Sequence, residues 1–484
     1  MGRAVRICVW PENRFGVVFL FLILVACAAV PMRLAAQAGQ SQTGSSQPGE
    51  LKPTYPGEPF NNPPVETTIG PVKLRVYGTA LLNMSFSDTD QVGQDVPLWP
   101  FPSSVNVTLP DGTTKPAGKI HDTIFTARQS TFGIVFNDAN PSAGGWTPSA
   151  QVEFDFFGTR PIDADLPQNR VLNQPRLRLA FFQLQKGDFK IVAGQDKIII
   201  SPLDPVSLSH VAIPLGYSAG DLFGWLPQVR FDYNHTFGKT GTLFQIGILR
   251  PAFGDPRLGD EPTAVVAGST TGGIALDTAT SGFGERAGQP FYQARFAVSH
   301  PMQGSTPTVG AGVHYGKEIV GATRDVSSWA FTVDFRVPLV PKVILRGEGY
   351  VGSNLVPFGG GIIQGVAAVP APAPAPAGSL TLIRPIGDGG GWAELTFLAT
   401  QRNVFYAGAS TDDPKNRELL PGTGRQKNSL VWASYFRKLT SSITLAAEWS
   451  NWQFRTITFV GNTPAARGAF GRGNVANIAL AYQF

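Results

Sequence analysis

Beyond residue 71, the chain alternates apolar and polar residues in many short stretches. Between Gln151 and Phe157, for example, Val152, Phe154 and Phe156 are separated by Glu153 and Asp155. The stretches 228–234 and 331–337 repeat this pattern. A period of two places apolar side chains on one face of a β-strand and polar side chains on the other. A long series of such strands is typical of a membrane barrel, in which one face meets lipid and the other lines the lumen.

The pattern predicts an all-β protein, a transmembrane antiparallel β-barrel of about 16 strands that occupies residues 71–484. An even number of strands suits a bacterial single-chain barrel. The predicted strands lie near 72–86, 124–137, 149–158, 175–185, 188–198, 227–237, 242–250, 290–299, 308–316, 327–337, 341–352, 391–399, 402–410, 428–437, 441–455 and 473–484.

The connections between these strands differ in length on the two sides of the barrel. Long connections of low regularity alternate with tight turns such as Lys186-Gly187. The long ones are 87–123, 199–226, 251–289, 353–390 and 411–427. This asymmetry predicts long loops outside the cell and short turns in the periplasm.

The N-terminus resembles a secretory signal. Three arginines precede an apolar run from Phe15 to Val30, and Ala36-Gln37-Ala38 fits a signal-peptidase site. We expect a signal peptide over 1–38, followed by a disordered Pro/Gln/Ser-rich periplasmic leader over 39–70. Leu24-Val25-Ala26-Cys27 leaves a second processing route open, in which Cys27 is acylated as in a lipoprotein.

Composition excludes several other classes of protein. Only 15% of residues are charged, and the lysines and arginines form no block of the kind that binds nucleic acid. Both cysteines, Cys8 and Cys27, lie in the expected signal peptide, so the mature chain has no thiol. The five histidines show no metal-ligand spacing, and no catalytic motif is present. We therefore expect neither enzymatic activity nor a cofactor nor a metal site.

The last strand ends on an aromatic residue. Asn474, Ala476, Ile478, Leu480, Tyr482 and Phe484 share one parity. This pattern is typical of outer-membrane proteins, in which the terminal aromatic is read by the barrel-assembly machinery. Tyr482 and Phe484 are therefore the predicted assembly signal, and outer-membrane lipid is the expected surrounding of the barrel.

Three motifs in the middle of the chain resemble DcaP-like porins, which share features with general porins. They are Val192-Ala193-Gly194-Gln195-Asp196, Ser201-Pro202-Leu203-Asp204-Pro205 and Leu226-Pro227-Gln228-Val229-Arg230-Phe231. The resemblance implies that the loop after the fifth strand, here 199–226, folds inward as a constriction loop. It also raises the prospect of a homotrimer. Family members trimerise with the help of an N-terminal coiled coil, whereas residues 39–70 have no heptad repeat.

Strand parity directs many charged side chains into the lumen. Arg128, Arg176, Arg178 and Arg230 come from strands that flank the predicted inward loop. Asp196, Asp204 and Asp221 lie on or beside that loop. One interpretation is that these charges pair across neighbouring strands and stiffen the wall. The other is that the arginines select small anionic solutes, because guanidinium groups match carboxylate and phosphate.

Two functions follow from this sequence. The first is a porin for passive diffusion of small polar, anionic solutes, with the seven charged residues as its constriction. The alternative is a structural or adhesive outer-membrane barrel that presents its long loops outside the cell.

Overall fold

The structure is a computed structural model that describes residues 65–484, except 94, 110, 139, 141–143, 159–173, 254–281, 303–305, 321–323, 371–373 and 375–379. The predicted signal peptide 1–38, including Cys27, and leader residues 39–64 lie outside the described residues.

Sixteen antiparallel strands form one closed barrel, which confirms the predicted fold class and strand number. Each strand pairs with its neighbour in sequence, and the last pairs with the first from Thr79↔Gln483 to Ser87↔Val475. The strands are β1 (Val72–Ser87), β2 (Asp122–Thr126 and Thr131–Asp138), β3 (Thr147–Gly158), β4 (Gln174–Lys186), β5 (Phe189–Lys197), β6 (Trp225–Phe237), β7 (Thr240–Leu249), β8 (Phe291–Ser299), β9 (Thr308–Val320), β10 (Arg324–Val340), β11 (Val343–Ser353), β12 (Gly387–Thr400), β13 (Asn403–Asp412), β14 (Arg425–Lys438), β15 (Ile443–Val460) and β16 (Thr463–Gln483).

Burial alternates along the strands as the sequence predicts. The outward parity is apolar and exposed, which suits lipid chains, and the inward parity is largely polar and buried. Exposed outward residues include Phe182, Val229, Phe244, Ile246, Phe296, Val313, Phe331, Leu395, Phe405, Val431 and Leu480. Buried inward residues include Gln151, Glu153, Asp155, Asp232, Gln293, Arg295, Thr332, Asp334, Glu348, Glu394, Glu448 and Asn477.

Several irregularities interrupt this alternation, among them register shifts in β10, β12, β14 and β15. Beside the predicted arginine cluster, β2 is broken at residues 127–130, and the register of β4 shifts between Gln174 and Arg176 and again between Leu177 and Leu179. An extra residue reverses which parity faces inward. Arg128, Arg176 and Arg178 are all inward although the parity changes further along each strand.

Short turns join the strands at one end of the barrel, which we call the turn end. Gly187–Asp188, Gly238–Lys239 and Gln401–Arg402 are each two-residue turns. At the opposite loop end most connections are long, and Gly461–Asn462 makes a two-residue turn. Loop-end residues form small hairpins, Gln91–Val92 with Trp99–Pro100, Asn106–Thr108 with Thr114–Pro116, and Val366–Pro370 with Leu380–Pro385.

Helices are short and belong to the connections. They are Ala117–Lys119, Glu285–Ala287, Val356–Phe358, Gly360–Ile363 and Asn416–Glu418. Within the described part of the chain, no helix has the length and apolar character needed to cross a membrane.

One boundary differs from its prediction. Val65–Ile69, placed by the sequence in the disordered leader 39–70, is a strand that pairs with Val72–Val76. Gly70 makes the turn with a φ of 59°, and Glu66 forms ion pairs with Lys73 and Arg75. Val65, Thr67 and Ile69 share one parity and alternate with Glu66 and Thr68, which is compatible with a strand. The surrounding prolines and polar residues obscure this pattern.

Candidate functional site

Residues 199–226, which we call the 199–226 segment, comprise most of the connection between β5 and β6 and the first two residues of β6, and they are buried along most of their length. Ile199, Ile200, Leu208, Leu215 and Leu222 are all nearly inaccessible to solvent. They pack in three apolar clusters against inward side chains of the wall, among them Phe291, Tyr406, Phe436, Trp392 and Trp432. An exposed loop would leave these side chains in water, so their burial accounts for the segment's apolar, proline-rich sequence.

Hydrogen bonds tie the first half of the segment to strands on one side of the barrel. Gln293 of β8 accepts from the Ile199 amide at 2.8 Å, and Thr332 of β10 donates to the Ile200 carbonyl at 2.7 Å. Glu348 of β11 accepts from the Ser201 hydroxyl and from the Leu203 amide. Carboxylate and amide side chains thus satisfy backbone groups that no β-ladder reaches.

The second half reaches strands on the other side. Gln129, in the break of β2, donates to the Ser209 carbonyl at 2.8 Å and accepts from the Val211 amide at 2.8 Å. Arg178 and Arg176 of β4 donate to the carbonyls of Val211 and Ala212 at 3.0 and 2.7 Å. The segment therefore contacts inward side chains from β8 through β11 and from β2 and β4.

The two β4 arginines are paired with buried carboxylates of β3. Arg176 donates two hydrogen bonds to Asp155, at 3.1 and 2.6 Å. Arg178 lies 2.7 Å from Glu153 and 3.5 Å from Asp155. Both arginines thus join the wall to the segment while each remains next to a negative charge.

Arg230 and Arg128 are also paired. Arg230 of β6 lies 2.8 Å from Asp196 and 2.9 Å from Asp232. Arg128 lies 2.7 Å from Asp95 in the connection between β1 and β2. All four predicted arginines therefore take part in the cross-strand or cross-loop pairing of the first interpretation.

Within most of these pairs, the cation is more exposed than its carboxylate. The exposed fraction of the side chain is 29% for Arg176 and 0% for Asp155, and 32% for Lys190 of β5 and 2% for its partner Asp232. Two pairs are the reverse case, Lys197 with Asp204 at 20% and 35%, and Arg230 with Asp196 at 11% and 16%. In most of these pairs the guanidinium or ammonium group is thus the more accessible partner and the carboxylate the more buried one.

Aromatic rings separate the arginines along the wall. Arg128 lies 4.0 Å from the centre of the Phe157 ring, and Arg176 lies between Phe157 and Trp225 at 5.3 and 5.2 Å. Arg178 lies over the Trp225 ring as well, 4.6 Å from its centre. Cation–π contacts fix the guanidinium planes. Phe157 is a residue of this site that the charge pattern does not reveal, although it shares the inward parity of Gln151, Glu153 and Asp155.

The three predicted aspartates occupy different surroundings. Asp196 is bound to Arg230, and Asp204 lies at the lumen surface, 2.7 Å from Lys197. Asp221 is buried. Burial raises the pKa of Asp221 well above its ordinary value, and the carboxylates of Asp204 and Glu348 raise it further. The uncharged form of Asp221 is therefore favoured.

His210 is a second buried titratable group, near the middle of the 199–226 segment. Its Nε2 lies 3.9 Å from Glu448 of β15, and neither ring nitrogen has a hydrogen-bond partner among the described residues. Burial lowers the pKa of His210 to about 3, so the neutral imidazole is the stable form in the folded protein.

A second connection is also buried, which the sequence did not predict. Residues 354–364, at the start of the predicted external loop 353–390, include the inaccessible side chains of Leu355, Phe358 and Ile362. The Phe223 amide donates to the Phe358 carbonyl at 3.0 Å, so this stretch packs on the 199–226 segment. Its apolar residues do not alternate with polar ones and are interrupted by three successive glycines, so the pattern does not predict burial.

The C-terminal aromatics lie at the closure of the barrel. Phe484 exchanges two backbone hydrogen bonds with Gly78, at 3.0 and 3.1 Å, and Tyr482 faces outward with half of its surface exposed. A Cβ atom on Gly78 would lie 2.8 Å from the Phe484 ring, so the ring packs directly on this glycine. In the part of the chain that the structure describes, no group of three or more His, Cys, Asp or Glu residues could hold a metal ion.

Comparison with known proteins identifies the fold. No family model and no curated protein matches the chain. The outer-membrane channel DcaP of Acinetobacter baumannii superposes with a TM-score of 0.57 at 15% identity, over 86% of this chain and 99% of that chain. OmpF of Salmonella typhi in complex with daunomycin gives 0.49 at 12%, over 87% and 100%. The anion-selective porin from Comamonas acidovorans gives 0.48 at 10%, over 85% and 100%. At 15% identity the likeness to DcaP shows a shared fold, and the two lower scores add nothing to it.

Proposed function

We propose that the protein is an outer-membrane porin through which small polar solutes, with a preference for anions, diffuse passively. The 199–226 segment narrows the lumen, and Arg128, Arg176, Arg178 and Arg230 line the passage that remains. Tyr482 and Phe484 serve as the signal for the barrel-assembly machinery. A homotrimer stays a prediction of the resemblance to DcaP-like porins.

The observation that carries the anion preference is the unequal exposure within the ion pairs. The formal positive and negative charges of this wall nearly cancel, because each of the four arginines has an acidic partner. A solute meets the exposed partner first, however, and a buried carboxylate lies behind the guanidinium group that screens it. In a narrow pore such fields act over short distances and are weakly screened by salt.

The geometry also favours solutes that accept hydrogen bonds from planar donors. Phe157 and Trp225 hold the faces of Arg128, Arg176 and Arg178, so the edges of the guanidinium groups point away from the rings. Some N–H donors of the Arg176 and Arg178 guanidinium groups already bind Asp155 or backbone carbonyls of the 199–226 segment. The remaining donors offer weak, repeated contacts, as passage through a diffusion channel requires.

Reversal potentials in a salt gradient test this proposal. Removing Arg176 alone would leave Asp155 buried without its main partner, which destabilises proteins by several kcal/mol, about 3–5. The sharper variant therefore neutralises the pair, Arg176→Gln with Asp155→Asn. We expect a shift of the reversal potential toward cations, since the exposed charge is lost and the buried charge contributed little.

A matched control is Arg402→Gln, which removes the same charge from an exposed turn at the end of the barrel. Its reversal potential should equal that of the unmodified protein. An unchanged potential in the double variant, or an equal shift in the control, would place the selectivity elsewhere.

The structural or adhesive barrel remains as the second candidate because two inward segments fill part of the lumen. The 199–226 segment and residues 354–364 contribute buried apolar side chains to the same cluster as Phe291 and Tyr350. A barrel whose interior is fully occluded would support that function, and conductance in a planar bilayer separates the two.

A further inference from the structure

Arg336 of β10 is an inward arginine outside the cluster described above. It shares the parity of Thr332 and Asp334, whose side chains are buried on the lumen side. Thr332 binds the Ile200 carbonyl, and Arg336 follows it toward the end of β10 at Val340, so it lies on the turn-end side of that contact. Within the described ranges of the chain, no group forms a hydrogen bond or ion pair with the Arg336 side chain. Arg336 is therefore a partly buried cation without a counter-charge.

A second arginine faces it from the next strand. Arg346 of β11 is directly opposite Arg336 in the antiparallel pair of β10 and β11. Side chains of directly opposite residues start about 4.5–5.5 Å apart, and like charges at such positions destabilise a sheet. Arg346 lies over the Trp392 ring, 5.6 Å from its centre, and donates to the Asp204 carbonyl. Its ion-pair contact with Glu394 of β12 spans 3.7 Å, which is longer than a hydrogen bond.

Three buried carboxylates lie near the two arginines, and each of them is bound to other groups. Asp334 accepts two hydrogen bonds from Arg295 of β8, both at 2.7 Å. Glu348 of β11 accepts from a hydroxyl group and an amide of the 199–226 segment. Glu394 accepts from another amide of that segment at 3.1 Å and from an indole of β14 at 3.2 Å. The buried carboxylates are therefore used to hold the wall and the segment together.

The more exposed carboxylate of this region, Asp204, also has its own cation. Its side chain is 35% exposed and lies 2.7 Å from the ammonium group of Lys197 of β5. Lys197 donates to the Leu203 carbonyl as well, at 2.9 Å. Asp204 is therefore paired, and the charge of Arg336 is not neutralised from this side either.

An oxyanion from the solution supplies what the two arginines lack. Guanidinium groups present several N–H donors in one plane and bind oxyanions through paired hydrogen bonds. An anion held between Arg336 and Arg346 replaces their repulsion with two attractions, and basic side chains line anion and phosphate pores for this reason. Thr308 of β9, directly opposite Arg336 on its other side, places a hydroxyl group on the same face. Several donors suit an ion with several oxygen atoms better than they suit chloride.

We propose that Arg336 and Arg346 form a binding site for a small oxyanion of the phosphate class, on the turn-end side of the 199–226 segment. The site is separate from the arginine cluster, which belongs to β2, β4 and β6, because these two residues belong to β10 and β11. Binding at this site requires a folded barrel and no conduction. Its role as a stopping point for anions along the pore rests on the proposed function.

Phosphorus NMR of inorganic phosphate, titrated with the purified, heat-modifiable barrel in detergent and a constant chloride concentration, tests the site. Phosphate bound to the barrel tumbles slowly, so we expect its signal to broaden as the unmodified protein is added. Arg336→Gln should weaken phosphate binding by about tenfold or more, since a hydrogen bond between charged groups contributes roughly that factor. Arg336→Lys keeps the charge without the planar donors and should also weaken binding, and it decides the question if the glutamine variant does not fold.

The matched control is again Arg402→Gln, which removes the same charge from the exposed turn between β12 and β13 at the same end of the barrel. It should bind phosphate as the unmodified protein does. The site is overturned if the unmodified barrel does not broaden the phosphate signal, if both Arg336 variants bind phosphate unchanged, or if the control loses binding equally. A folded barrel that binds phosphate without conducting overturns the porin assignment and leaves the site in place, whereas a conducting barrel that binds no phosphate overturns the site alone.

Discussion

The effect of a charged residue in this lumen depends on the residue with which it forms an ion pair. Strand parity correctly places Arg176 and Arg178 inside the barrel, but it carries no information about Asp155 and Glu153 on the neighbouring strand. Whether an inward arginine attracts anions depends on which member of the pair reaches the water. The exposed fractions of the side chains favour the arginines, and the sequence has no equivalent of that quantity.

His210 gives a prediction at the same scale. Because burial lowers its pKa to about 3 from an ordinary 6.5, the unfolded chain binds a proton below about pH 6.5 and the folded protein does not. Its contribution to stability is therefore complete above pH 6.5 and is lost as pH falls toward 3, by about 1.4 kcal/mol per pH unit. His210→Gln should show a smaller loss of stability between neutral and acid pH.

The measurement is the unfolding temperature of the detergent-solubilised barrel at several pH values. His300→Gln is the control, because His300 lies exposed at a turn beside Thr240. It should follow the unmodified protein. Parallel pH curves for His210→Gln and the unmodified protein would contradict the buried neutral state of His210.

At the scale of elements, period-two alternation identifies the strands well, and all sixteen are found near their predicted positions. Alternation gives no prediction where a segment has no regular spacing of apolar and polar residues. Residues 354–364 are rich in glycine, and their burial depends on Asp388, Asp412 and Arg425, which lie far away in sequence. Val65–Ile69 was missed for a related reason, since five residues are too few for alternation to outweigh a polar surrounding.

The contacts of the 199–226 segment show which of its residues can be replaced by a short linker. Val206 is bound to Glu394 of β12, and Gly216 packs beside Ser410 of β13, so the two ends of 206–215 lie over neighbouring strands. A short glycine linker in place of 206–215 removes the contacts with Gln129, Arg176 and Arg178. We expect single-channel conductance to increase by about twofold, because the part that reaches the arginine wall is gone.

Removal of the exposed residues 111–113 is the control for this shortening, since it changes the tip of a hairpin in a loop-end connection. Its conductance should match that of the unmodified barrel. If the 206–215 replacement also leaves conductance unchanged, the segment does not narrow the pore.

For the whole molecule, closure depends on the pairing of β1 with β16. Phe484 ends that seam by binding Gly78 through its backbone and covering it with its ring. Phe484→Ser should reduce the yield of heat-modifiable barrel in the outer membrane, whereas Phe470→Ser, which changes an outward aromatic in the first half of β16, should not. Equal yields from the two variants would remove Phe484 from its role as an assembly signal.

The central claim is that this closed barrel conducts, and its most direct test is single-channel recording of the purified, heat-modifiable protein in a planar bilayer. The account predicts discrete, reproducible conductance steps, and a reversal potential in a salt gradient that shows a preference for anions. A barrel that is folded by its electrophoretic mobility yet gives no steps would contradict it and favour the structural or adhesive function.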